Sequence, residues 1–145
     1  FVWSANKGER LRALHKTASG GELSRLMLAV KHVLCREDLV SLYVFDEVDT
    51  GLGGKAAESI GRKIQNVAVG HQAITITHLA SIAARADHHI FVTKETQGDR
   101  TVSALTPIDQ DQRVKEIARM LDGSPENQAT LAAAARPLAL TERFT

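Results

Sequence analysis

Two adjacent carboxylates, Asp46 and Glu47, follow a nearly continuous apolar run over residues 39–45. Such a run, with charge at its carboxyl end, is typical of a central strand that is covered on both faces. In open α/β sheets, ligands bind beyond the carboxyl ends of the strands. In phosphoryl transfer, Asp46 would help to hold Mg²⁺, usually through water, and Glu47 would orient or deprotonate the attacking water. The simpler alternative is an acidic pair that only ends a strand.

A second candidate site lies where an amphipathic helix is predicted to begin. Its residues are Ser19, Gly20, Gly21 and Glu22. Ser19 as N-cap and Glu22 three residues later form a capping box, and the apolar spacing extends the helix to about Arg36. A helix N-terminus attracts anions, and glycines leave room for a phosphate to approach. The alternative is that the capping box only stabilises the helix.

One histidine is a further candidate. His78 directly follows a short β-branched strand predicted over residues 73–77, and it could hydrogen-bond a γ-phosphate or titrate near neutral pH. His88 and His89 are neighbours, so in an extended segment they point to opposite faces and make a poor metal pair. The spacing of cysteine and histidine supports no zinc site.

The glycine-rich stretch over residues 51–55 does not fit a phosphate-binding loop of the Walker A type. That motif requires glycine, four residues and then Gly-Lys-Ser/Thr. Here Ala56 follows Gly54 and Lys55, and Asp49 stands where the first glycine belongs. No other segment fits, so the chain lacks the lysine and hydroxyl that would hold phosphates and Mg²⁺.

The elements that must position these residues predict an α/β fold. A helix at residues 56–67 joins the two strands, and this strand, helix, strand unit should be parallel and right-handed. A short helix at residues 79–85 precedes a strand at residues 89–94. Residues 101–105 would return as its hairpin partner near the sheet edge, after a turn at Gly98 and Asp99.

Further elements are predicted towards the two ends of the chain. A helix is predicted over residues 114–121, ended by Gly123 and Pro125, and an Ala-rich helix over residues 126–135. Residues 1–18 are predicted to form strand or loop.

Composition indicates one compact domain, with 145 residues, 43% hydrophobic and 24% charged. Aromatics are only 4%, so the core should consist mainly of Leu, Ile, Val and Ala. A net charge of +1 without a basic block lacks the electrostatic footprint of a dedicated DNA-binding domain. The single cysteine, Cys35, excludes an internal disulfide. No apolar run approaches the roughly 18 residues of a membrane helix, so we expect a soluble cytoplasmic protein.

Taken in order, these motifs resemble the carboxyl-terminal half of an ABC-type ATPase head. SGGELS at residues 19–24 resembles the signature motif, LYVFDE at residues 42–47 resembles a Walker B strand with the catalytic glutamate, and His78 falls at the switch histidine of the H-loop. Within that superfamily the chain resembles the RecN family, which is related to the structural-maintenance-of-chromosomes (SMC) proteins. The segments that carry this are Ser4-Ala5-Asn6 with Gly8-Glu9, TASGGELSRLMLA, VFDEVDTGLGGKAA, THLASIAARADHHIFVTK and RVKEIARMLDG. Gly53 stands where many ABC proteins have a D-loop aspartate.

The resemblance implies a fold and a set of roles. Residues 1–145 would be the carboxyl-terminal part of an ABC-type head, a mainly parallel sheet flanked by helices with an edge hairpin. Asp46, Glu47 and His78 would act on the ATP of their own head, with Asp46 holding Mg²⁺. The ATP of a partner head would be contacted by Ser19, Gly20, Gly21 and Glu22.

The resemblance also implies partners. Walker A would lie in the amino-terminal half of the same head, and two heads would form a homodimer. The full-length protein would be a bacterial, nucleoid-associated ATPase that contacts DNA and acts in double-strand-break repair and recombination, without a membrane partner. This chain alone should be inactive.

Two alternatives stay open, namely the head of another ABC/SMC-type ATPase and a non-catalytic dimerisation module of that fold. The RecN-like interpretation carries a geometric expectation. Asp46 and Glu47 should lie at a strand end, His78 at the end of a neighbouring strand, and the helix that starts near Ser19 should face away from them. Because part of the sheet would be missing, an exposed edge strand is also expected.

Overall fold

The computed structural model describes residues 2–4, 7–8, 10–13, 18–34, 39–124 and 127–141. The chain divides into two compact units, Phe1–Thr77 and His78–Thr145. Cys35 and Pro125, both used in the sequence predictions, lie outside the described residues. Within the described ranges, no helix has the length and apolar character needed to cross a membrane.

The first unit combines a short antiparallel pair with a strand, helix, strand unit. Its described elements are β1 (Val2–Trp3), β2 (Arg12–Ala13), α1 (Gly20–Leu34), β3 (Leu42–Phe45), α2 (Gly54–Ala68) and β4 (Gln72–Thr75). β1 pairs with β2, and β3 pairs with β4 in parallel, so the predicted parallel connection through α2 is confirmed. Its hand stays a prediction.

The core of the first unit lies between its helices and one face of the β3–β4 sheet. α1 packs on α2, and Lys31 of α1 lies over the Tyr43 ring at 5.3 Å from its centroid. The buried apolar residues are Leu28, Tyr43, Phe45, Val48, Ala57, Ile64 and Val67. Aliphatic side chains predominate, as the composition predicts, with two aromatic rings from β3 added.

The opposite face of the same sheet is not covered by any described element of the first unit. Val44 is 61% exposed and Ile74, its partner in the register, is 50% exposed. We call this surface the exposed apolar face; it consists of Leu42, Val44, Ile74 and Ile76. The prediction that β3 is a central strand covered on both faces is therefore wrong for the described residues, because β3 pairs only with β4 and only one side carries helices. Among the described residues, β3 and β4 each pair on one side only, in agreement with the expected exposed edge.

The second unit joins a hairpin to three helices in its described part. Its elements are α3 (Ala80–Ala83), β5 (His89–Gln97), β6 (Arg100–Ile108), α4 (Gln110–Asp122) and α5 (Gln128–Thr141). The predicted hairpin turn at Gly98 and Asp99 is confirmed, with Gly98 at φ 63°. β5 and β6 form a two-stranded sheet of their own, so a place at the edge of a larger sheet stays a prediction.

Small side chains allow the helices of the second unit to pack closely. Their buried cluster consists of Ala80, Ala83, Ala84, Ile117, Ala118 and Ala134. α4 begins with a capping box in which the Gln112 N–H donates to Asp109 at 2.8 Å. It ends at Gly123, which adopts the left-handed conformation at φ 82°, so the predicted end of this helix is confirmed.

Candidate functional site

The two carboxylates lie in the loop that directly follows β3. Asp46 and Glu47 are both exposed, and Glu47 has a φ of 55°. A non-glycine residue in this left-handed region costs on the order of 1–3 kcal/mol, so the surroundings must hold it there. Within the loop, the Thr50 N–H donates to the Glu47 carbonyl at 3.1 Å, and the Leu52 N–H donates to the Asp49 carbonyl at 3.0 Å. Glu47 thus sits in a tightly turned segment.

The helix α1 holds this loop through two polar side chains. The Ser24 hydroxyl donates to the Asp46 carbonyl at 2.7 Å. The Arg25 guanidinium donates to the Thr50 carbonyl at 2.9 Å and to the Val48 carbonyl at 3.4 Å. Because these bonds span the loop from its first residue to Thr50, α1 and the carboxylates form one local structure.

The glycines at the start of α1 allow that close approach. A Cβ on Gly20 would lie 2.6 Å from the Glu47 Oε2. A Cβ on Gly21 would lie 2.8 Å from the Glu47 carbonyl oxygen and 3.1 Å from the Thr50 Cβ. The expectation that the N-terminus of α1 faces away from the carboxylates is therefore wrong. The missing side chains at the two glycines, together with the bonds from Ser24 and Arg25, bring the loop onto the first turn of the helix.

The predicted capping box at the start of α1 is confirmed. The Ser19 N–H donates to the Glu22 carboxylate at 2.8 Å, and the Glu22 N–H donates to the Ser19 hydroxyl at 3.3 Å. The hydrogen bond from the Ser19 backbone, with a second from its hydroxyl, holds the pKa of Glu22 below its usual value of 4.5. Glu22 therefore serves its own helix, and its predicted contact with a nucleotide stays a prediction.

Asp49 is a site residue that the sequence reasoning missed. Its side chain is only 2% exposed, and it accepts a hydrogen bond from the Thr77 hydroxyl at 2.6 Å. An aspartate in a glycine-rich loop is ordinarily a turn residue, so its type and position give no signal of burial.

His78 is exposed and is the first residue of the second unit. β4 ends at Thr75, two residues earlier than predicted, although the Ile76 N–H still donates to the Phe45 carbonyl at 3.0 Å. The placement of His78 relative to Asp46 and Glu47 stays a prediction.

The donor set after β3 fits a magnesium ion that is carried by a nucleotide. Within the described ranges, no group of three or more His, Cys, Asp or Glu side chains could hold a metal ion. Mg²⁺, however, commonly takes one or two protein carboxylates and completes its shell with substrate phosphates and water. The exposed carboxylate of Asp46 would supply an oxygen ligand of that kind.

Comparison with known proteins gives a consistent set of relatives. No protein-family profile matches the chain. The chain is 46% identical over 123 residues to the DNA repair protein RecN of Bacillus subtilis, covering 85% of this chain and 21% of that protein. It is 50% identical over 127 residues to RecN of Deinococcus radiodurans, covering 88% and 22%. The chain thus spans about a fifth of the length of these relatives.

A solved structure supports the fold. It comes from work described as structural biochemistry of ATP-driven dimerization and DNA stimulated activation of SMC ATPases. The match has a TM-score of 0.53 and 23% identity, and it covers 79% of this chain and 68% of that one. The α/β fold of an SMC-type ATPase is therefore shared, although the described parallel sheet has two strands. With relatives of this similarity along most of its length, the chain belongs to the RecN family.

Proposed function

We propose that this chain is the carboxyl-terminal part of the ATPase head of a RecN protein, which acts in DNA double-strand-break repair and recombination through ATP-dependent dimerisation of its heads. The observation that carries the proposal is the loop with Asp46 and Glu47 beyond the parallel strand β3, in a chain 46% identical to a DNA repair protein. The same position is where ligands bind in open α/β sheets.

Hydrolysis would use the two carboxylates in different roles. Glu47 orients or deprotonates the attacking water. Its carboxylate is exposed on a turned loop, where such a water can reach it. Asp46 would hold Mg²⁺ through water, because magnesium keeps part of its hydration shell in proteins. The ion neutralises charge on the phosphates when it is bound. His78 contacts the γ-phosphate in this scheme.

Head engagement would use the N-terminus of α1. Its first amides and dipole attract the phosphates of ATP bound to a partner head, and the residues concerned are Ser19, Gly20, Gly21 and Glu22. The Glu47 carboxylate now lies in front of Gly20. A phosphate at that helix end would therefore require Glu47 to turn away, which links engagement of the partner's ATP to the orientation of Glu47.

The remaining partners follow from the same proposal. An amino-terminal half with Walker A completes the head and covers the exposed apolar face, where Leu42 is 43% exposed and Val44 61% exposed. The full-length protein contacts DNA through parts other than this chain, which has a net charge of +1 and no basic block. It works in the bacterial cytoplasm, at the nucleoid.

The test uses the complete protein, meaning this chain joined to an amino-terminal part of the length that its relatives have. We expect ATP-driven dimerisation, and we expect Glu47→Gln to trap the dimer because hydrolysis no longer releases it. Glu58→Gln, an exposed glutamate on α2, is the matched control and should cycle normally. This chain alone should hydrolyse no ATP.

Different results would contradict different parts of the proposal. Normal cycling of Glu47→Gln would remove the assigned role of Glu47. Dimerisation by ATP without any hydrolysis would favour the non-catalytic dimerisation module, and substantial Glu47-dependent turnover by this chain alone would contradict the need for the other half.

A further inference from the structure

A buried carboxylate that the proposed mechanism does not use lies close to the site. Asp49 is 2% exposed, and its Oδ2 accepts the hydrogen bond from the Thr77 hydroxyl at 2.6 Å. Burial of a charged carboxylate is costly unless hydrogen bonds compensate for the lost water. The acceptor of the short bond from Thr77 is a charged carboxylate, and such a hydrogen bond is stronger than one between neutral groups.

The two residues join the segments that follow β3 and β4. Asp49 stands two residues after Glu47 in the same loop, and Thr77 stands two residues after the end of β4. The Asp49–Thr77 bond lies beyond the backbone bond from the Ile76 N–H to the Phe45 carbonyl at 3.0 Å. It therefore extends the connection between the strands to the loop itself.

The loop is thus held from two sides. Arg25 of α1 binds the Val48 and Thr50 carbonyls, and these residues flank Asp49 in the sequence. Thr77 binds the Asp49 side chain from the β4 segment. Glu47 keeps a φ of 55°, a conformation that persists only where neighbouring contacts fix the backbone.

We propose that Asp49 and Thr77 are positioning residues for ATP hydrolysis, in which the Thr77 hydroxyl and the buried Asp49 carboxylate hold the loop that carries Glu47. The inference rests on the proposed function of Glu47. Neither residue contacts the nucleotide in this scheme. Loss of the bond should therefore lower kcat without changing the KM for ATP, and ATP should still drive formation of the dimer. Thr77 also directly precedes His78, so the bond holds the residue next to His78.

The experiment compares three substitutions in the complete protein, two at Thr77 and one at Thr75. Thr77→Val removes the hydroxyl at nearly constant volume and should lower kcat about ten- to a hundredfold, the scale on which small misplacements of catalytic groups act. Thr77→Ser keeps the donor and should restore most of kcat. Thr75→Val makes the same change two residues earlier, at the last residue of β4, and should leave kcat unaltered.

A second variant addresses the carboxylate itself. Asp49→Asn keeps an acceptor for Thr77 but removes the charge, so its kcat should lie between those of the unsubstituted protein and Thr77→Val. In each variant, an unchanged KM for ATP and formation of the dimer on addition of ATP show that the head still folds and engages.

The outcomes separate the inference from the proposed function. Unaltered kcat in Thr77→Val, with Glu47→Gln still trapping the dimer, overturns the inference alone. Equal losses in Thr77→Val and Thr75→Val, or no recovery in Thr77→Ser, overturn it as well, since any change on the strand would then act alike. Absence of Glu47-dependent hydrolysis in the unsubstituted protein overturns the proposed function and the inference together.

Discussion

The Glu47 Oε2 lies 2.6 Å from the point at which a Cβ on Gly20 would stand, so the acidic loop after β3 rests against the first turn of α1. The neighbouring glycine is more restricted. At Gly21 the obstacles are the Glu47 carbonyl oxygen, at 2.8 Å, and the Thr50 Cβ, at 3.1 Å. Gly21 is thus required by the chain's own loop, independently of any phosphate that binds there, whereas Gly20 faces only the end of the Glu47 side chain.

The two glycines should differ in their response to an added methyl group. Gly21→Ala places a Cβ against backbone, which cannot move without shifting the loop, and should destabilise the protein by about 1–3 kcal/mol. Gly20→Ala meets only the end of the Glu47 side chain, which can rotate away, and alanine favours the helix over glycine by up to about 1 kcal/mol. Thermal unfolding midpoints of the two variants of the complete protein would measure this. Equal midpoints would contradict the packing described for Gly21.

His89 should make the stability of the second unit depend on pH. Its half-buried ring has a pKa below the usual 6.5, first because burial disfavours the charged form and second because Arg113 lies near, while Glu116 acts in the opposite direction. Within the described residues, the buried Nδ1 has no hydrogen-bond partner. As the pH falls below 6.5, the unfolded chain takes up a proton that the folded chain does not. The free energy of unfolding therefore falls in that range.

The measurement is the free energy of unfolding between pH 7 and pH 5 for three proteins. His89→Gln should flatten the fall, by at most about 1.4 kcal/mol per pH unit, the limit for one titrating group. His88→Gln, at the exposed neighbouring histidine, should leave the slope as it is. A slope that responds equally to both substitutions would indicate that burial of His89 is not its cause.

The capping box at Ser19, the turn at Gly98 and the helix end at Gly123 could be predicted because each depends on residues within three or four positions of one another. The approach of Glu47 to Gly20 could not, because it joins positions 27 apart through packing and side-chain bonds to the backbone. The sequence predicts that Gly20 and Gly21 leave room for a phosphate. In the structure, their lack of a Cβ also lets the loop approach the helix.

Burial was the other property that the sequence left open. The run at residues 39–45 is apolar at every position except Ser41, which predicts a covering layer on each face. The described elements of the first unit cover only the side of Tyr43. Asp49 shows the converse case. A charged residue in a loop predicts exposure, whereas the hydrogen bond from Thr77 makes its burial possible.

The exposed apolar face provides a direct test of the proposed division of the head. Val44 and Ile74 are paired across β3 and β4, and about half or more of each side chain is exposed. If the amino-terminal half covers this face, a charge there would be buried without a partner, at a cost of several kcal/mol. Val44→Glu should therefore prevent the two halves, produced as separate chains, from purifying together. Glu58→Lys on the exposed side of α2 changes charge without touching this face and should leave the pair intact. Co-purification of the Val44→Glu chain at the level of the unsubstituted one would mean that another surface joins the two halves.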